Sequence, residues 1–284
     1  MQESQRHILE ILKDGEFHSG EMLGNALGCS RTAVWKHLQK LEQLGLGVET
    51  VKGTGYRVAG GIELLRADKI LSMLSPAARA LCSGLEIFDT IDSTNRYARE
   101  MLSGEAASGK VILAEQQSAG RGRRGKTWIS PFAANIYLSI RWDFERGAQA
   151  LEGLSLAVGV AVKRALASQG LEGVQLKWPN DILVNEKKIS GLIAEIVDDG
   201  VVVGIGINVG MTVEELPVLT ATSLAIEGVS DTNRNEILAR VLALFETNFT
   251  TWDNGDNSVA QIYTSLSSTL GTKVQIHYPN EQIE

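Results

Sequence analysis

Four cations and three glycines fall within seven residues at Gly120-Arg121-Gly122-Arg123-Arg124-Gly125-Lys126, with Thr127-Trp128 after them. Glycine lets backbone N–H groups come close to an anion. Arginine adds forked donors that match carboxylate and phosphate oxygens. A loop that closes over a negatively charged ligand has this composition. The spacing also satisfies GxGxxG, but that dinucleotide fingerprint needs a helix opening at the third glycine. Lys126-Thr127-Trp128-Ile129-Ser130-Pro131 is a poor helix start, and arginines stand where helix-on-sheet packing wants small or apolar residues. The bland alternative is a solvated basic surface loop.

Asp92-Ser93-Thr94-Asn95 lies between an apolar segment and a helical one. Short polar side chains there are N-cap chemistry, or hydrogen-bonding groups for a small polar ligand head. Lys177-Trp178-Pro179-Asn180-Asp181 breaks a strand at its proline and opens a turn.

The elements that must carry these groups are readable from periodicity. Strands are expected over residues 86–91, 111–117, 134–142, 174–178, 182–184, 188–196 and 201–209, the fifth and sixth pairing across Asn185-Glu186-Lys187. Helices are expected over 96–102, 151–169 and 235–252, the last with Ile237, Leu238, Val241, Leu242, Phe245 and Phe249 on one face. Two shorter helices, 64–74 and 76–82, precede them. The result is a mixed sheet backed by helices, an α/β (α+β) domain.

The chain has 284 residues, 44% of them apolar and 21% charged, which suits about two soluble domains. The N-terminal stretch carries Glu3, His7, Glu10 and Lys13, so it does not read as a secretory signal. The most apolar stretch, 151–167, is interrupted by Glu152, Lys163 and Arg164 and is too short to span a bilayer. No membrane association is expected. Cys29 and Cys82 lack metal-ligand spacing and read as free thiols of a cytoplasmic protein.

Residues 1–60 balance seven cations against seven acids, so the net charge of −7 belongs to the remainder. Residues 2–13, 20–27 and 31–44 have helical periodicity, with Ile8, Leu9, Ile11 and Leu12, then Met22, Leu23, Ala26 and Leu27, then Val34, Leu38 and Leu41 inward. Ser19 and Ser30 are candidate N-caps, and Gly28-Cys29-Ser30 is the short glycine turn of a helix-turn-helix. The second helix of that motif enters the major groove with its N-terminal residues at base edges. Ser30, Arg31, Thr32, Trp35 and Lys36 hold those places. Residues 50–58 form a hairpin wing whose Lys52 and Arg57 could reach phosphates. Trp35 fits packing as well as DNA contact.

Ser93-Thr94-Asn95, Gln117 before Gly120, the run from Gly120 to Gly125, Lys177-Trp178-Pro179-Asn180-Asp181, Lys188-Ile189-Ser190-Gly191 and Gly206-Ile207-Asn208 occur in one order. In that order the chain resembles the biotin protein ligases. With the helix-turn-helix in front, it resembles the bacterial kind that is also a biotin operon repressor. The resemblance covers residues 5–275 and implies a catalytic domain like that of class II aminoacyl-tRNA synthetases. It implies that biotin and ATP form biotinyl-5′-adenylate, with Mg2+, and that biotin passes to a lysine of a biotin carboxyl carrier protein. It implies further a repressor that binds operator DNA as a homodimer when the adenylate is bound. Ser93, Thr94, Asn95 and Gln117 would hold biotin, and Arg121, Gly122 and Arg123 would close over its chain and the phosphate. Arg121, Arg123 and Lys188 would form the cationic clamp, with Lys188 rather than Lys187 turned inward. Asn180 and Asn208 would face the nucleotide. Asp181 would help hold magnesium or steer the acceptor lysine.

The expected organisation is a winged helix-turn-helix over 1–60, a biotin- and ATP-binding catalytic domain over 61–269, and the first strand of a truncated SH3-like barrel over 270–284. The family's adenine-covering loop, expected over 210–223, matches only around Thr222-Ser223-Leu224. Two alternatives accompany this reading: a DNA-binding biotin sensor without efficient ligase activity, and a lipoate or other acyl ligase of the same fold. The arginine-rich run gives the second little to do.

Overall fold

The computed structural model describes residues 1–100, 108–143, 154–197, 200–216, 218–230, 232–253, 258–273, 276–277 and 282–283. The first helices are α1 (Glu3–Ile11), α2 (Gly20–Leu27) and α3 (Arg31–Glu42). Both expected serine caps are present: Met22 N donates to Ser19 Oγ at 3.1 Å and Ala33 N to Ser30 Oγ at 3.2 Å. Ile8, Leu9, Leu12, Leu23, Val34, Leu38 and Leu41 close one small core. Met22 and Ala26 depart from expectation and face solvent. Gly20 and Gly24 take inward positions of α2, because a β-carbon would meet Arg31 and Tyr56 at the first and the Cys29 carbonyl of the turn at the second. The wing follows as β1 (Val48–Val51) and β2 (Gly55–Val58), paired antiparallel.

Next come α4 (Ala67–Ser72), α5 (Pro76–Leu81), β3 (Gly84–Phe88), α6 (Thr94–Glu100), β4 (Lys110–Ala114) and β5 (Ile136–Asp143). After them run α7 (Leu154–Ala167), β6 (Val174–Lys177), β7 (Asp181–Val184), β8 (Lys187–Val197), β9 (Gly200–Ile207), α8 (Arg234–Asp253) and α9 (Ser258–Leu266). The sheet order is β3-β4-β5-β9-β8-β7-β6, with β3 parallel to β4 and every other pair antiparallel. This is the expected mixed sheet. The β7–β8 turn is tighter than expected: Asn185 and Glu186 both take positive φ, as a two-residue hairpin requires. Helix α7 is apolar on nearly every side because it lies between the sheet and the helices α8 and α9. Residues 151–153, expected to begin this helix, and the side chain of Phe249 lie outside the described residues. At the C-terminal end, β10 (Ile276–His277) pairs with β11 (Gln282–Ile283), where one strand was expected. Among the described residues no helix is long and apolar enough to cross a membrane.

A buried ion pair inside the larger domain anchors the segment that follows the wing. Arg234 Nη1 lies 2.7 Å from Glu115 Oε2, with side-chain exposures of 5% and 1%. Leu65 N donates to Glu115 Oε1 at 2.6 Å, and Arg234 also donates to the carbonyls of Asn135 and Glu63. Phe132, just after the glycine-arginine loop, packs into the core of the first three helices.

Candidate functional site

The sheet positions the site. Ile91 bridges Gln117 at the ends of the parallel pair, which brings the residues before α6 beside those after β4. Ser93 starts α6: Tyr97 N donates to its carbonyl at 3.0 Å and Arg96 N to its Oγ at 3.4 Å. Thr94 N donates to Gln117 Oε1 at 2.9 Å, and Gln117 Nε2 donates to Ser130 Oγ at 3.1 Å. Ser139 Oγ, fully buried on β5, donates to Thr94 Oγ1 at 2.9 Å. The capping and ligand readings of Ser93-Thr94-Asn95 are therefore compatible. Ser93 caps the helix, and all three residues line a cavity.

That cavity has an empty volume of about 460 Å3, open on one side to solvent. Ser93, Thr94, Asn95 and Gln117 form one wall. Tyr137 to Ser139, Gly191 to Ile193 and Gly204 to Gly206 form the floor. Asn95 lies flat on β9, where a β-carbon at Gly204 would come 2.8 Å from its Oδ1. Burial pushes the Tyr137 phenol well above its ordinary pKa, so it stays a neutral donor to the Pro131 carbonyl at 2.8 Å.

The glycine-arginine run lines the same cavity through Arg121, Gly122 and Arg123. Gly122 N donates to Lys126 O at 2.7 Å and Trp128 N to Gly120 O at 2.9 Å, so the run folds as a small hairpin. Arg124 sits near its tip at φ 54. No regular helix opens at Gly125, which rules out the dinucleotide reading; a single 3-10 turn spans Arg123–Gly125. Arg123 Nη1 donates across the cleft to Asn180 Oδ1 at 2.9 Å. Lys188 Nζ lies 2.7 Å from Asp181 Oδ1 and 5.4 Å from the centre of the Trp128 ring. Lys187 is exposed, whereas Lys188 is half-buried, the split expected for the pair.

A second, larger cleft of about 1450 Å3 abuts the first. Gly122, Arg123, Trp128, Asn180 and Lys188 line both. Asp181 and Asn208 line only the second, with Trp178 and Val218 at its exposed rim. Asn208 is buried, and its Nδ2 donates to Thr222 O at 3.0 Å. Every residue expected to hold biotin lines the first cleft, and both expected nucleotide residues line the second.

Sequence reasoning missed Glu195, Arg99, Tyr137 and Ser139. Glu195 carried a signal, since it is a charged residue inside the apolar strand Ile193-Ala194-Glu195-Ile196. Its carboxylate accepts from Asn95 Nδ2 and pairs with Arg99 at 3.2 Å and Arg121 at 3.6 Å.

The residues expected to face DNA behave unequally. Ser30, Arg31, Thr32, Trp35, Lys36 and Lys52 are exposed, Trp35 at 47%, so its ring is not enclosed by the core. The Ser30 hydroxyl is occupied as the α3 cap. Arg57 is half-buried, paired with Glu49 at 2.8 Å and lying 4.4 Å over the Phe17 ring.

Together the fold and the site define a helix-turn-helix domain joined to an α/β domain that holds two abutting clefts lined by a cationic loop. Comparison with known proteins agrees. Residues 4–57 match the HTH domain and residues 87–212 the biotin/lipoate A/B protein ligase family. The bifunctional ligase/repressor BirA of Salmonella typhimurium is 40% identical over 83% of this chain and 73% of its own. That of Bacillus subtilis is 31% identical over 95% and 86%. Among solved structures, the biotin protein ligase of Aquifex aeolicus in complex with biotin and ATP superposes with a TM-score of 0.61 at 30% identity. That match covers 71% of this chain and 85% of the Aquifex chain. This chain belongs to the biotin protein ligase family, in the bifunctional ligase/repressor branch.

Proposed function

We propose that this protein is a biotin–[acetyl-CoA-carboxylase] ligase and a biotin-responsive transcriptional repressor. It joins biotin to ATP as biotinyl-5′-adenylate and passes biotin to a lysine of a biotin carboxyl carrier protein. The observation that carries this reading is the junction of the two clefts at Arg123, Lys188 and Asn180.

The first cleft takes biotin. Ser93, Thr94, Asn95 and Gln117 meet its polar ring, and the apolar floor its rings and chain. The second cleft takes ATP, with Asn180 and Asn208 toward the nucleotide. Biotin's carboxylate is already ionised at neutral pH, so adenylation requires no general base. A carboxylate oxygen bonds to the α-phosphorus as the bond to the bridging oxygen of pyrophosphate breaks. Two anions must meet, and Arg121, Arg123 and Lys188 lower that barrier by preorganised charge. In the second step the acceptor lysine's neutral amine bonds to the acyl carbon, the bond from that carbon to the phosphate oxygen breaks, AMP leaves and the nitrogen gives up one proton to solvent. A closed lid protects the anhydride from water.

Among the described residues no three His, Cys, Asp or Glu side chains group to cage a metal. Asp181 is the carboxylate lining the second cleft. One carboxylate plus phosphate oxygens suits Mg2+ that arrives with ATP.

Ser30, Arg31, Thr32, Trp35 and Lys36 would face operator DNA, with Lys52 on the wing. Beyond Gly191, β8 pairs with β9 on one side only among the described strands. Ile196 there is 60% exposed. An open edge of this kind is a surface for a homodimer with two-fold symmetry.

The test is pyrophosphate release from ATP with biotin, with lipoate or with neither. Release with biotin alone supports the ligase. Biotin binding without release would point to a sensor, and release with lipoate to a different acyl ligase.

A further inference from the structure

Each cation of the proposed clamp already has an internal partner. Arg123 donates to Asn180, Lys188 pairs with Asp181, and Arg121 pairs with Glu195. The three contacts differ in strength. The Arg123 and Lys188 contacts are 2.9 and 2.7 Å, whereas Arg121 Nη2 stands 3.6 Å from Glu195 Oε1, beyond a hydrogen bond. Glu195 also has a second cation. Arg99 Nη1 donates to the same Oε1 at 3.2 Å, and Asn95 Nδ2 donates to Oε2.

We propose that Glu195 is the positioning residue that holds Arg121 when the first cleft is empty and releases it to the ligand's carboxylate when the cleft fills. This inference rests on the reading of that cleft as the biotin site.

The release is cheap for a physical reason. A carboxylate that loses its only partner bears the full cost of an uncompensated charge. Glu195 keeps Arg99 and Asn95 when Arg121 leaves, so that cost does not arise. The contact being broken is long and a third exposed, and exposed pairs of this kind contribute little. Asn95 is common to the biotin wall and to Glu195, so the wall that meets the ligand's ring also steadies the carboxylate that holds the lid cation. Glu195 touches no reacting atom and acts only through Arg121.

The experiment measures dissociation constants for biotin and for its neutral alcohol, biotinol, on the full chain. Glu195→Gln keeps an acceptor for Asn95 and removes the competing charge. It is expected to tighten biotin by about two- to fivefold and leave biotinol unchanged. Arg99→Ala leaves Arg121 as the only cation on Glu195, so biotin is expected to weaken by a similar factor. Both effects should vanish in an Arg121→Ala background, where a general change of field would persist. Equal shifts for the two ligands, or shifts that survive without Arg121, would overturn the proposal. Wild-type protein that binds neither ligand would instead overturn the biotin reading, and the first titration separates the two failures.

Discussion

Trp128 occupies the space that a side chain at Gly206 would fill: a β-carbon built there comes within 2.5 Å of Trp128 Cε2. Gly191 on the neighbouring strand leaves the same indole its room, with a β-carbon 3.0 Å from Cζ3. Two bare positions in adjacent strands thus make a flat seat for the aromatic residue that ends the lid. The Lys188 ammonium stands over that ring. Gly206→Ala should displace the indole and loosen the lid. Overpacking costs about 1–3 kcal/mol, so the half-life of bound biotinyl-adenylate should fall roughly tenfold or more. An unchanged half-life, measured by release of labelled adenylate, would mean that the lid closes without this seat.

Arg123→Ala removes the contact to Asn180 across the cleft mouth. Arg123 is exposed and packs little, so its loss should move the melting temperature by no more than a few degrees. Adenylate retention should fall about 10- to 100-fold, the scale of a charge-assisted hydrogen bond. Comparable losses in both measurements would make the arginine a fold residue rather than a ligand residue.

Glu115→Ala strands Arg234 inside the protein and leaves Leu65 N without its acceptor. Breaking a buried pair from one side costs about 3–5 kcal/mol. Urea unfolding should show a loss of that order. The double substitution Glu115→Leu with Arg234→Met should recover part of it, because neither charge is then left alone although Leu65 N still lacks its acceptor.

Tyr137 titrates higher in the folded protein than in the unfolded chain, chiefly because it is buried. Its contribution to stability is complete below the unfolded value, about 10, and declines as pH rises past it. Alkaline destabilisation should therefore begin near that pH and be shallower in Tyr137→Phe. That variant should lose about 1 kcal/mol at neutral pH with the hydrogen bond to Pro131. Parallel stability profiles above that pH would assign the alkaline loss to other groups.

Lys36→Ala should weaken DNA binding and reduce its salt slope by about one. Biotin-dependent pyrophosphate release should not change, since Lys36 lies on the exposed face of α3 and lines neither cleft. A change in that release would show communication from the reading helix to the site.

Much of the fold is legible because its signals are local. Ser19 and Ser30 cap as their positions require, and Asn185-Glu186 closes the hairpin between β7 and β8. Met22 and Ala26 misled because periodicity assumes that the inward face wants bulk, whereas α2 turns Gly20 and Gly24 inward against Arg31, Tyr56 and the Cys29 carbonyl. Glu195 was visible as a charge in an apolar strand, yet nothing near it in sequence names its partners.

The sequence by itself determined the family, the helix-turn-helix, the strands and the cation-rich loop, because spacing, capping and glycine placement act over a few residues. Tertiary structure alone decided which cation meets which anion and where the two clefts join. Arg99 and Glu195 are 96 positions apart, and Arg234 and Glu115 are 119 apart. Such pairs are set by how helices pack on strands brought together from across the chain, and no short stretch of sequence encodes that.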